Sequence, residues 1–419
     1  MSATLAHRID ARLAHSPCPL ALQWPGGRAG PATSSVLLRL RHRGLLAPLA
    51  GGRIGDLADA YVRGELDIEG TMADVMAVAG ALAANPLDAE QGRLHVGRRW
   101  WAVARSRWLH TRARDALQVR SHYDLSDEFF ALWLDPRRVY SCAYYARDDM
   151  TLQQAQEAKL ELVCRKLQLA PGQRFLDIGS GWGGLLIWAA KHHGVQATGI
   201  TLSRNQHAYV SRLIDEAGLR AQVQVQLLDY RDLDAAGHGG PFDRIASVGM
   251  FEHVGQACMV PYFETLRRLL RPGGLLLNHA IAAGGLHNAE LGAGMGRFVE
   301  KHIFPGGELM HVSRTVEGLS QAGLELLDAE NLRPHYARTL WQWSQALEAK
   351  LAQARSVTSE AAVRAYRLYL AGSAMSFERG WLSLYQLLAA RPDDRVETGL
   401  SWAAHSDYPF TRRHLLAAA

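Results

Sequence analysis

The stretch Phe175-Leu176-Asp177-Ile178-Gly179-Ser180-Gly181-Trp182-Gly183-Gly184 constrains the fold more than any other part of the chain. An apolar strand runs into a glycine-rich turn and then into a helical segment. A doubly wound sheet uses this order at its nucleotide crevice, because glycine lets the backbone approach a ligand with no Cβ in the way. The same alternation continues along the chain. Arg174–Ile178, Gln196–Ile200, Val223–Leu228, Phe242–Val248 and Leu275–His279 read as strands, with Leu185–His193, Gln206–Ala217 and Tyr262–Leu270 as helices between them. The expectation is an α/β fold with a Rossmann-like, largely parallel sheet carrying helices on both faces. Arg271-Pro272-Gly273-Gly274 reads as a helix stop followed by a strand, and the chain from about Leu340 to Arg391 reads as largely helical.

With 419 residues the chain exceeds the ~250–300 that one hydrophobic core supports, so two domains are expected. Residues 1–90 read as a small α+β domain: Val36–Leu40 has strand character, Gly51–Gly55 forms a turn, and Ile54–Val62 begins a helical pattern. Asn85-Pro86 closes a second helix that starts near Met72. Residues 91–120 read as a connector, and 121–419 as the larger domain with its helical C-terminal region. The longest apolar stretch, around Met72–Leu82, carries Asp74 and falls short of the ~18 residues of a spanning helix. Arg8, Asp10 and Arg12 stand where a signal peptide would place its apolar segment. Cys18, Cys142, Cys164 and Cys258 are scattered without a CxxC pair, and no metal-ligand spacing joins His192, His193, His302 and His311. These features predict a cytoplasmic protein with neither a disulfide framework nor a metal site.

Charge is unevenly placed. Arg93, Arg98, Arg99, Arg105, Arg107, Arg112, Arg114 and Arg120 are opposed only by Asp115, with Trp100, Trp101 and Trp108 among them. Indole favours the lipid headgroup layer, and each basic residue adds about 1 kcal/mol near anionic lipid, so the stretch suits an acidic bilayer surface. It equally suits a nucleic-acid backbone, or a solvated helix whose tryptophans pack on a neighbouring domain.

The glycine turn itself admits several nucleotides. A dinucleotide site wants an acidic residue about 20 positions on to hold a ribose. Thr201-Leu202-Ser203 stands there instead, which counts against a nicotinamide dehydrogenase. Asp177 suits the cationic amino-acid end of S-adenosylmethionine, or else braces the turn through backbone N–H groups.

Further motifs narrow the reading. His122-Tyr123-Asp124-Leu125, Tyr140-Ser141-Cys142-Ala143-Tyr144, Leu176–Gly184, Gly199–Gln206, Asp229-Tyr230-Arg231-Asp232-Leu233 and Gly249-Met250-Phe251-Glu252-His253-Val254-Gly255 follow one another in order. In these motifs the chain resembles the cyclopropane-fatty-acyl-phospholipid synthases, relatives of the mycolic-acid cyclopropane synthases. The resemblance spans about Ser121–Trp343 and continues more loosely to Leu388. Tyr61–Gly70 resembles the segment that closes the lipid-handling N-terminal domain of the phospholipid-acting members. The resemblance implies a Rossmann-like S-adenosylmethionine-dependent methyltransferase domain, a helical C-terminal addition and a homodimer. It also implies that Tyr123, Tyr140, Ser141, Asp177, Gly179, Ser180, Gly181, Trp182, Gly183, Thr201, Leu202, Ser203, Gln206, Tyr230 and Arg231 surround the cofactor. Thr201 and Gln206 can bond ribose hydroxyls, and the Tyr230 ring can cover adenine.

An isolated alkene is a poor nucleophile, so its attack on a sulfonium methyl depends on positioning in a dry slot. The cation that follows needs shielding from water, and aromatic faces stabilise it. A base then removes a proton and the ring closes. By resemblance that base is bound bicarbonate, held by Cys142, Glu252, His279, Ile281 and Tyr336. Cys142 and Ile281 would act mainly through backbone, the other three through side chains. A Cys142 thiolate would compete for the methyl group, which favours a positional role. Ser180 stands where many members carry cysteine, and Ser373 where a cysteine in the C-terminal helical region was once suspected of catalysis. The implied reaction is methylene transfer to a cis double bond of a membrane phospholipid acyl chain, at the inner face of the bilayer, with no nucleic-acid partner. A C-methyltransferase giving branched chains, and a non-catalytic lipid-binding protein, are the competing readings.

Overall fold

The computed structural model describes residues 3–83, 126–286, 294–393 and 411–416. Asn85-Pro86, the Arg93–Arg120 segment and the His122–Leu125 motif with Tyr123 lie outside them. The chain forms two compact units. The first comprises Met1–Arg93, His287–Pro305 and Ala337–Trp381; the second comprises Leu94–Leu286, Gly306–Tyr336 and Leu382–Ala419. Residues 287–305 and 337–381, placed by sequence with the larger domain, thus group with the N-terminal residues.

In the first unit β1 (Leu20–Trp24), β2 (Gly27–Ala29), β3 (Val36–Leu40) and β4 (Leu66–Glu69) form a sheet in the order β2-β1-β3-β4. The β1–β2 hairpin turns at Pro25-Gly26, where Gly26 takes φ 81°, a conformation glycine adopts without steric cost. β3 alternates as its sequence does: Val36, Leu38 and Leu40 are buried while Arg39 faces out. Their apolar face shares one core with Leu57 and Tyr61 of the Ile54–Val62 helix, Val75 and Met76 of the Met72–Leu82 helix, and Ala371 and Met375 of the Glu360–Glu378 helix. Thr71 caps the Met72–Leu82 helix by accepting the Asp74 N–H at 3.1 Å. Arg364 donates to the carbonyls of Tyr61 and Leu66 and to the Asp67 carboxylate, which ties the later helix to β4.

The second unit holds a seven-stranded sheet in the order β10-β11-β9-β8-β5-β6-β7. Its strands are β5 (Arg174–Ile178), β6 (Gln196–Thr201), β7 (Val223–Leu227), β8 (Phe242–Val248), β9 (Leu270–Ala283), β10 (Glu325–Asn331) and β11 (Leu382–Ala390). β7, β6, β5, β8 and β9 run parallel, whereas β11 pairs antiparallel with β9 and β10 with β11. The chain moves outward from β5 in one direction through β6 and β7, then returns to β5's other side with β8. This reversal opens a crevice at the carboxyl end of β5. One face of the sheet packs Phe175, Leu275 and Leu277 with Val163 and Leu186; the other packs Leu176, Ile245 and Leu276 with Tyr262 and Leu319. This is the Rossmann-like α/β architecture expected.

Two local expectations are corrected. The region read as helical to Arg391 is helical only through Glu378, and Leu382–Ala390 is an interior strand. Its alternation of buried and part-exposed residues lasts only from Leu382 to Tyr385, too short to separate it from a helix, and Gln386–Ala390 is buried throughout. The strand expected over Leu275–His279 extends from Leu270 to Ala283, through Arg271-Pro272-Gly273-Gly274, with a register irregularity against β8 at that end. Among the described residues no helix is long and apolar enough to cross a membrane.

Candidate active site

At the carboxyl end of β5 the chain turns through Gly179, Gly181 and Gly183, at φ 76°, 54° and 81°. Side chains rarely tolerate these values, so the turn depends on glycine. The backbone N–H groups of Gly179 and Ser180 both donate to Ile200 O at 3.0 Å, which sews the turn to β6. A Cβ on Gly183 would lie 3.0 Å from Val210, whereas none on Gly181 would meet any atom within 4 Å. The turn is therefore packed at its end and open at its middle. The Ser180 hydroxyl donates to Ile200 O at 3.4 Å.

Asp177, the residue of β5 before Ile178, is 2% exposed, and burial pushes its carboxyl up to about 7 against the pull of Lys159. Trp182 donates its indole N–H to Asp127 at 3.1 Å and packs with Phe130, which in turn meets Trp133 and Tyr140. Tyr140 thus belongs to an aromatic cluster beside the turn. Ser141 is buried next to it.

After β6, Thr201 donates to the Gln206 side-chain carbonyl at 2.9 Å and accepts the Ser203 N–H. Ser203 caps the Arg204–Glu216 helix. Leu202 lies between them, partly exposed. Thr201 and Gln206 therefore bond each other in this structure. Farther along, Arg231 grips Asp229 through two nitrogens at 2.9 and 2.6 Å. The Tyr230 ring meets the Arg231 guanidinium and makes a T-shaped contact with Tyr262.

A second group of predicted residues gathers around β9. Glu252 accepts the Ile281 N–H at 2.7 Å through Oε1, while its Oε2 is buried and has no hydrogen-bond partner among the described residues. Burial pushes this carboxyl up to about 7. His279 is 1% exposed, and burial together with the nearby Lys159 and Lys166 ammonium groups drives its pKa well below the ordinary value, so the ring is neutral. Gln386 of β11 bonds its Nδ1 at 3.2 Å. With the amide donating, the ring proton resides on Nε2, which is buried and has no hydrogen-bond partner among the described residues.

Cys142 and Tyr336 reach this region by a different route. The Cys142 thiol points at Ala143 O and, at 3.8 Å, at Leu332 O. Leu332 donates its N–H to Leu384 O, and Leu384 pairs with Ile281 in the β11–β9 ladder. Tyr145 N–H donates to His335 Nδ1, and Tyr144 stacks on the same ring. These bonds bring the Tyr140–Tyr145 segment and the start of the Arg333–Ala349 helix, with its buried Tyr336, to the end of β9 where Glu252 sits.

A family model described as mycolic acid cyclopropane synthetase matches residues 110–387. A probable fatty acid methyltransferase from Pseudomonas putida is 39% identical over 403 residues, 96% of each chain. The chain belongs to the mycolic acid cyclopropane synthetase family. Among solved structures, a cyclopropane synthase from Mycobacterium tuberculosis superposes with a TM-score of 0.62 at 37% identity, over 66% of this chain and 98% of its own. A mycolic acid cyclopropane synthase solved with SAH and CTAB gives 0.61 at 38% identity, over the same shares. This member of the family has the fold of S-adenosylmethionine-dependent methyltransferases. Its open glycine turn and buried Asp177 fit such a cofactor.

The residues that sequence reasoning missed are supports. Gln386 lies in the segment read as helix. Gln156 and Lys159 lie on the Leu152–Lys166 helix, at buried positions where polar residues interrupt an apolar face; that interruption was the available signal.

Proposed function

We propose that this chain transfers a methylene group from S-adenosylmethionine to a cis double bond of an unsaturated phospholipid acyl chain, closing a cyclopropane ring. One observation carries the reading. Glu252, in the Phe251–His253 turn, bonds Ile281 of β9, two residues beyond His279. Glu252 Oε2, an acceptor, and His279 Nε2, a donor, are both buried and, among the described residues, without partners. Buried polar atoms without partners are costly, so such a pair fits a small oxyanion that both donates and accepts hydrogen bonds. Bound bicarbonate would supply a base there. Glu252, His279 and Tyr336 would hold it by side chains, with Cys142 and Ile281 contributing backbone.

S-adenosylmethionine, when bound, supplies an electrophilic methyl group on a sulfonium. Asp177 would bind its ammonium end, the glycine turn would give close backbone approach, and Tyr230 would present its ring to the base. Phe130, Trp133, Tyr140 and Trp182 form an aromatic wall that excludes water and offers π-faces to developing positive charge.

We extend the proposal to location: the Arg93–Arg120 segment, eight arginines and three tryptophans among them, would draw the enzyme to anionic membrane at the cytoplasmic face. Replacing several of these arginines by glutamine should weaken sedimentation with anionic vesicles while sparing cofactor affinity. Unchanged turnover and binding on such vesicles would refute this.

The reaction is tested by expressing the chain and its Glu252→Gln variant in a host without its own synthase, then seeking high-field cyclopropane protons in lipid NMR spectra. Ring protons that fade in the variant support ring closure and the base site together. A methylene-branched chain would instead support C-methylation without closure, the reading favoured by the name of the 39%-identical Pseudomonas putida relative. Cofactor binding without any modified lipid would overturn the substrate, and an absence of cofactor binding would leave a non-catalytic lipid-binding protein.

A further inference from the structure

The Leu152–Lys166 helix buries two lysines, and the fold treats them differently. Lys166 is paired with Glu330 at 2.5 Å and Asp328 at 3.4 Å. Lys159 is 2% exposed, yet among the described residues no carboxylate comes within ion-pairing distance of it. Its one hydrogen bond there runs from Nζ to Ser141 Oγ, at 2.8 Å. Asp135, a nearby carboxylate, is already committed to the N–H groups of Arg137 and Val139. Three residues before Lys159 on the same helix face, buried Gln156 donates to Ser141 O at 2.8 Å and to Val139 O at 3.3 Å. The helix therefore grips Ser141 by carbonyl and hydroxyl together.

Burying an ammonium without a carboxylate destabilises a fold, and an apolar side chain of similar length would fill the same space at no such cost. Asp135 and Asp177 lie near enough to Lys159 to favour its charge, but among the described residues the hydrogen bond of Lys159 is directed at Ser141. A hydroxyl that accepts a hydrogen bond from an ammonium directs its own proton away from that cation, and the charge polarises the O–H bond. Ser141 is thereby set as a strong donor of fixed direction, suited to an anionic acceptor. In the cofactor reading above, on which this inference rests, the acceptor is the carboxylate at the amino-acid end, beside the ammonium that Asp177 receives.

We propose that Lys159 is a positioning residue that orients the Ser141 hydroxyl toward the carboxylate of S-adenosylmethionine. The same cation draws Asp177 toward its ionised form, against the burial that raises it. Gln156 holds the backbone of the loop while Lys159 sets the direction of its hydroxyl.

The test uses the full-length protein, its Lys159→Met and Ser141→Ala variants, and the double variant. Calorimetry would read binding of S-adenosylhomocysteine and of methylthioadenosine, which lacks the amino-acid end. Lys159→Met is expected to weaken S-adenosylhomocysteine about tenfold or more, leave methylthioadenosine within about twofold, and melt no lower than wild type. Ser141→Ala should show the same ligand pattern, and the double variant should be no worse than the weaker single one. Equal weakening of both ligands, additive losses, or unchanged S-adenosylhomocysteine affinity would each overturn the proposal. Wild type that binds neither ligand would overturn the cofactor reading itself, which separates the two failures.

Discussion

Glu252→Gln should make the protein more stable while abolishing its chemistry, and the gain should depend on pH. Glu252 Oε1 accepts the Ile281 N–H, but Oε2 is buried with no partner among the described residues, and burial raises the carboxyl from 4.5 to about 7. Below the unfolded pKa the group is protonated in both states and costs nothing. As pH rises from 4.5 through 7 the unfolded chain releases its proton first, so folding stability falls and then levels off. At ~1.4 kcal/mol per pKa unit the full cost is about 3 kcal/mol above pH 7.5. Glutamine keeps an acceptor for Ile281 but buries an amide N–H₂, which returns about 1 kcal/mol of the gain. The variant should therefore exceed wild type by about 2 kcal/mol at pH 8, or about 5 °C in melting temperature, and fall below it by up to about 1 kcal/mol at pH 4.5, where the amide cost remains and the carboxylate cost does not. Scanning calorimetry of both proteins in carbonate-free buffer between pH 4.5 and 8 reads this difference directly, because contributions from other groups, Asp177 included, cancel. A difference that does not change with pH, or a variant less stable at pH 8, would refute the account of Glu252 as a desolvated, half-satisfied carboxylate.

Other expectations follow from neighbouring geometry. Gln386→Leu removes the bond that selects the His279 tautomer, so turnover should fall about tenfold to a hundredfold while S-adenosylhomocysteine affinity stays within about twofold; unaltered turnover would contradict the orienting role. The raised pKa of Asp177 means that it is ionised only above about 7, so the dissociation constant for S-adenosylmethionine, measured from pH 6 to 9, should weaken as pH falls through that value. Asp177→Asn should flatten that dependence. Gly183→Ala combines a φ of 81° with a Cβ placed 3.0 Å from Val210, and urea unfolding should show a loss of about 1–3 kcal/mol. Adding Val210→Ala should recover the steric part alone, since the backbone strain remains.

Much of the second unit was legible because parallel strands and their turns are local features. Arg174–Ile178 and Phe242–Val248 are apolar runs bounded by turn residues, and they occupy the residues expected from sequence. The glycine turn was legible for the same reason: only glycine reaches the φ values that a sharp strand-to-helix turn needs. Leu382–Ala390 was not legible. Its alternation is confined to Leu382–Tyr385, and its identity comes from pairing with β9, about a hundred residues earlier in the chain.

The site divides along the same line. The glycine turn and Asp177 were readable from local pattern, at the end of a strand that an α/β sheet directs at its crevice, whereas Glu252 and His279 came from the family resemblance that the ordered motifs carry. Burial and partners are another matter. That Glu252 and His279 each keep an atom unbonded among the described residues, that Gln386 orients the imidazole, and that Lys159 donates to Ser141 all depend on contacts between distant segments. Residues 294–305 and 337–381 likewise join the N-terminal unit through packing that no local pattern encodes. Backbone preference acts over a few neighbouring residues and can be read from their order. Desolvation and hydrogen-bond satisfaction are properties of a three-dimensional environment, and only the folded chain decides them.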